Sequence, residues 1–295
     1  MDYSQLTLRD EWLVAGKAFC RPDWGAVWDW CDRHTPLEGQ AEVATAMARD
    51  WMRRVARAMP VPMQLRESPH FILVLPTSSS QADLCLQHLE IYRGRIAAAL
   101  RDFASAKWIG KSVVLVAPDA EQFARYLTDY YPDGEFMMPG GVCLNAGYTH
   151  FVLPDAHLHQ HLPVFAHELC HVFLRNTNWP LWLEEAVVQT IEHKVTRLSS
   201  YVLDRETIRR HRAFWTPATI QEFWTGSSFQ RPDEGSELSY HLALFLLNAV
   251  NGEGREAMAT LLRQARREDA GFAAFTAALG LSPAEVVANL LDPAQ

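Results

Sequence analysis

The sequence predicts an α+β fold, a small mixed sheet set between helical segments. Three observations predict it: apolar positions recurring every three and four residues before residue 60, short unbroken apolar runs between 71 and 154, and helical periodicity from 162 onward.

QAEVATAMARDWMRRVARAM has the spacing of a helix and stops at Pro60-Val61-Pro62, since proline has no N–H to continue the ladder. Upstream, DWGAVWDWC places Trp24, Trp28 and Cys31 on one helical face, which reads as core packing rather than a partner groove. FILVLP (71–76) and SVVLVAP (112–118) are expected to be buried strands, with a helix over about 80–107 between them. A helix over 119–131 should end at the loop signal Tyr131-Pro132-Asp133-Gly134. GVCLNAG and THFVLP then give two short strands around Gly147. Farther on, Thr216-Pro217 and Ser282-Pro283 each put a capping hydroxyl before a helix-starting proline, and Ser282 with Glu285 forms a capping box. The divisions expected are an N-terminal helical region over 1–65, a core over 66–200 and a C-terminal helical part over 201–295.

Composition narrows the function. The 295 residues carry a formal charge of -8 and no run of Lys or Arg, which argues against nucleic acid and against an anionic membrane surface as partners. The five cysteines are scattered, with no C-x-x-C pair, and suit a reducing compartment. MDYSQLTLRDEW does not read as a secretory signal, and no apolar run approaches the roughly 20 residues of a membrane helix. A cytoplasmic location is expected, and the oligomeric state is not legible.

His167-Glu168-Leu169-Cys170-His171 carries the chemistry. Residues four apart share a helical face, so His167 and His171 can point both imidazoles at one metal. Glu168 lies about 100° round the helix from His167, within reach of a water on that metal. Zn²⁺ brings such a water to a pKa of about 7, and a carboxylate beside it can take the proton and later pass it to a leaving amine. Pro163 suits a first helical turn, and Val164, Phe165, Leu169, Val172 and Phe173 supply a buried surface. Cys170 lies to the side of the histidine pair and reads as packing. His157, His159 and His161 alternate on the approach to the helix and offer at best a weak surface site, while Asp155 has no fixed role.

H-E-x-x-H followed by Trp182-Leu183-Glu184-Glu185-Ala186 resembles the gluzincin zinc metallopeptidases of the peptidase-MA-like group, whose second motif reads roughly W-L-x-E-G-x-A-E. The resemblance implies a zincin-like fold, with an open edge strand packed on the H-E-x-x-H helix and an all-helical C-terminal part. It implies one Zn²⁺ per chain, held by His167, His171 and Glu185, with Glu168 as general base and a peptide or protein as substrate. Glu184 is the competing ligand, one residue out of the W-L register. Ala186 stands for the family glycine and Val188 for a small alanine, and the gap after His171 is short. Gln189 takes the position of an acid that orients a zinc-bound histidine, and can do so through its carbonyl.

The same resemblance places the substrate-pairing strand at Gly141, Val142, Cys143, Leu144 and Asn145. Leu144 falls where the aminopeptidase branch has its amine-binding acid, which argues against a classical aminopeptidase. Tyr240 and His241 open a helix similar to one in peptidase-MA-like proteins, and either can stabilise an oxyanion. The alternative is a catalytically silent scaffold or regulator that binds a partner through its helices.

Overall fold

The computed structural model describes residues 3, 5–103, 109–131, 140–198 and 204–291. Pro132-Asp133-Gly134 and the last residues of the expected 80–107 helix lie outside them. The protein is a mixed α+β structure that divides into two compact units, Met1–Ala98 with Ala106–Arg175, and Ala99–Ser105 with Asn176–Gln295.

The first unit opens with a hairpin of β1 (Leu13–Ala15) and β2 (Cys20–Pro22), followed by α1 (Trp24–His34) and α2 (Leu37–Ala58). Five further strands form one sheet: β3 (Met63–Glu67), β4 (Phe71–Pro76), β5 (Ser112–Ala117), β6 (Val142–Asn145) and β7 (Thr149–Pro154). Their order is β3-β4-β5-β7-β6, with β4, β5 and β7 parallel and both outer strands antiparallel to their neighbours. The helices of this unit are α3 (Ala82–Leu100), α4 (Ala120–Leu127) and α5 (Leu158–Leu174).

The central strands are buried on both faces, which explains their unbroken apolar runs. Ile72, Val74, Val113, Leu115 and Val152 face a core shared with Val27, Trp51, Met52 and Phe123 from α1, α2 and α4. Alternation sends Phe71, Leu73, Val114 and Phe151, all fully buried, to the opposite face, where Phe151 meets Phe165 of α5 at 6.3 Å between ring centres. Trp24 and Cys31 are buried in the first core, the packing role expected of the tryptophan-rich helix.

Two elements had no counterpart in the sequence reading. β3 (MQLRE) alternates polar and apolar residues at the sheet edge and so has no apolar run. The β1–β2 hairpin is held from a distance: the carboxylate of Asp129, just beyond α4, accepts the backbone N–H of Lys17, of Ala18 (3.1 Å) and of Phe19 (2.8 Å). α4 is also shorter than the expected 119–131.

Pro163 is not in the first turn of its helix. α5 begins at Leu158, five residues earlier, because His157 and Gln160 close a capping box on its free N–H groups. The proline therefore costs one ladder bond inside the helix.

The second unit is helical: α6 (Leu181–Thr196), α7 (Arg205–Phe214), α8 (Thr219–Thr225), α9 (Gly235–Gly252), α10 (Arg255–Gln264), α11 (Phe272–Leu279) and α12 (Pro283–Leu291). α9 is its hub and packs against α6, α7, α10, α11 and α12. Trp182 fills the core near Phe275 and donates its indole N–H to the Ala270 carbonyl at 2.8 Å. The Ser282–Glu285 capping box forms as read, with bonds of 2.7 and 3.2 Å, and Thr216 pairs reciprocally with Thr219 ahead of α8. Among the described residues no single helix is long and apolar enough to cross a membrane.

Candidate metal centre

α5 has a reason to be rigid. Phe165, Ala166, Leu169 and Cys170 are fully buried, which pins one face and leaves His167 and His171 half-buried on another. Their rings lie 5.0 Å apart at 65°, with the two Nε2 atoms separated by 3.3 Å. For a tetrahedral zinc with Zn–N of about 2.0–2.1 Å, the edge between two imidazole nitrogens is about 3.3–3.4 Å. The pair therefore has the spacing of two ligands on one ion.

Glu185 supplies an acid. It is 6% exposed on α6, between the fully buried Leu183 and Ala186. The ligand atoms of His167, His171 and Glu185 lie within 4.8 Å of one another, a group that can hold a metal ion. Two imidazoles and a carboxylate are the donor set of a catalytic zinc site with an open fourth position. Glu184, half-buried, is not in that group.

Glu168 is 6% exposed on the same helix. The backbone of Gly141, leading into β6, passes against it: a Cβ on Gly141 would sit 2.5 Å from Val164 Cγ1 and 3.5 Å from Glu168 Oε1. A larger residue there would collide with Val164, while the carboxylate lies at ordinary contact distance. β6 follows directly, pairs among the described residues with β7 alone, and lies against α5. Cys143 shares the α5 face with Phe151, while Val142 and Leu144 face the other core.

Tyr131 was not anticipated. Its phenol is pushed above its ordinary pKa by burial and by the neighbouring charge of Glu168 and Cys143. No local pattern marks it, because it meets Glu168 only through the fold.

The remaining candidates are more scattered. Tyr240, half-buried on α9, stands edge-on to Phe229 at 5.1 Å. Gln189 donates its side-chain N–H to the carbonyls of Tyr240 (3.1 Å) and Glu185 (3.3 Å), tying α6 to α9. His241 has Glu237 3.9 Å away and His211 at 6.1 Å between ring centres. His159 and His161 lie on α5 rather than on a loop; His161 is buried against the Pro154 carbonyl at 3.2 Å, and His157 caps the helix. None of the five cysteines is in a disulfide, and Cys170 is fully buried as packing requires.

Two buried histidines set an acid limit on stability. His150 lies between the Tyr148 carbonyl and the Tyr126 hydroxyl, each at 3.0 Å, and burial takes its pKa from 6.5 to about 4. His211 accepts the Trp215 indole N–H at 2.9 Å, and burial, then His241, take it to about 4 as well. The unfolded chain binds these protons first. Stability is therefore full above pH 6.5 and falls as pH drops toward about 4, by on the order of 3 kcal/mol for each group. Urea melts at pH 7 and pH 4.5 check this, and the loss should shrink in a His150→Gln variant.

No protein-family model matches the chain, and no curated protein matches it.

Proposed function

We propose that the protein is a zinc-dependent hydrolase, a metallopeptidase of gluzincin type, with one zinc ion per chain held by His167, His171 and Glu185. The observation that carries the reading is the 3.3 Å spacing of the two imidazole nitrogens, on a helix that also buries a carboxylate. A zinc ion there supplies Lewis-acid chemistry, acidifying water and polarising a carbonyl. Glu168 accepts the proton of the attacking water and returns it to the leaving amine. The edge of β6 offers backbone N–H and C=O groups to an extended peptide, with Gly141 bringing that backbone close to Glu168. Tyr240 and His241 are the proposed donors to the oxyanion.

The test is zinc content by mass spectrometry on protein purified without added metal. Wild type is expected to carry about one zinc per chain, Glu184→Ala to keep it and Glu185→Ala to lose it. Zinc should also raise the melting temperature of wild type, because it binds only the folded state. A metal-free wild type that zinc does not stabilise would end the hydrolase reading, and loss of zinc in Glu184→Ala alone would move the third ligand to Glu184.

A further inference from the structure

α5 runs alongside β6 from end to end. Val164 and Glu168 lie against Gly141 before the strand, and Arg175, just beyond the helix, donates to Thr149 Oγ1 at 2.9 Å. Thr149 is the register partner of Asn145, the last residue of β6, and donates to its side chain at 2.9 Å. His167 and His171 fall between these two contacts. A peptide laid on the edge of β6 therefore passes Glu168 near Gly141 and reaches the Asn145 end about 13 Å farther on, three or four residues at strand rise.

Past that end, at the β6–β7 turn and the first residues of β5 and β7, is a cleft of about 310 Å³, near the lower limit for ligand pockets and suited to one side chain. Trp28 is half-buried and lies nearly parallel to the buried Tyr148 ring, 6.2 Å away at 6°, and its indole is fixed by a 2.9 Å bond to the Gly147 carbonyl. Ile109, 44% exposed, adds a second apolar surface. The cations are turned into the walls: Lys111 Nζ lies 2.8 Å from Glu67, and Arg175 is engaged with Thr149. What the cleft offers is the half-buried Trp28 ring and Ile109, with one carboxylate, Asp32, at its lining; the flat ring favours a planar side chain over a small aliphatic one, and Asp32 disfavours an acid.

We infer that this cleft is the specificity subsite of the hydrolase proposed above, on which reading it rests. It takes an aromatic side chain four or more residues from the bond that is cut.

Two measurements on the same protein samples test it, with zinc content recorded alongside. In the first, wild type, Trp28→Ala and Ile109→Trp digest a peptide library, and the cut sites are read by mass spectrometry. Wild type should prefer Phe, Tyr or Trp at that distance on one side of the cut, by about tenfold or more in kcat/KM over alanine there. The ratio should fall to near one in both variants, and Ile109→Trp, at an exposed position, fills the cleft without emptying the core. In the second, N-acetyl-tyrosinamide is titrated into wild type while the Trp28 indole N–H signal is followed by NMR. The signal should shift in wild type and stay fixed in Ile109→Trp.

Cleavage without an aromatic preference at that distance, or a Trp28 signal indifferent to the probe, overturns the subsite. Protein that binds no zinc and cuts nothing sinks the hydrolase reading on a separate count. A probe that still moved Trp28 in such protein would reveal an aromatic site with no substrate role, which also overturns the inference as stated.

Discussion

Glu168→Gln is expected to keep wild-type zinc content while lowering the rate of peptide hydrolysis by about 10²–10⁴-fold. Glutamine matches glutamate in size and keeps the close contact with Gly141, where the room for a side chain is already taken. What it loses is the ability to accept a proton from water. Glu168 is only 6% exposed, so bulk solvent is poorly placed to stand in as the base. Peptidase rates and metal content measured on one preparation separate the roles. Full activity in the variant would remove Glu168 from the chemistry, and loss of zinc would make it a ligand. Glu185→Ala, by contrast, should lose metal and activity together.

Trp51→Ala should destabilise the first unit by about 3–5 kcal/mol, a large share of the 5–15 kcal/mol that folded domains have in total. Trp51 is 1% exposed on α2, edge-on to Trp24 at 5.7 Å and to His150 at 4.8 Å. Its removal opens a void where two helices meet the sheet, and the aromatic neighbours are too constrained to collapse into it. A urea unfolding curve gives the number. A loss under about 1 kcal/mol would mean the region is softer than its packing implies. The same contacts explain why the N-terminal tryptophans are so frequent: they cover one face of the sheet.

The parts of the fold legible in the sequence are those whose signal is local. FILVLP, VVLVA and FVLP stand out because a strand covered on both faces has few polar positions to break its run. The two histidines of α5 stand out because a four-residue interval is itself a statement about geometry. β3 is hidden by its mixed polarity, and the first hairpin by its dependence on Asp129, more than a hundred residues away. Tyr131 and Gly141 meet Glu168 only once the chain has folded, so no spacing foretells them. Glu185 is an intermediate case. One acid among neighbours on a helix carries no mark of its own, and it was singled out by the W-L register of a family it resembles.

The two edges of the sheet are guarded differently. β3 shows Gln64, Arg66 and Glu67, with Glu67 bound to Arg49 and Lys111, and a charged border discourages another strand from joining. β6 reads Val-Cys-Leu-Asn, without a single charge. An edge kept receptive to a passing peptide is receptive to any extended chain, including that of a second copy. Its brevity, four residues, is the restraint: long enough to grip a peptide that other contacts also hold, too short for two copies to stay together by this edge alone.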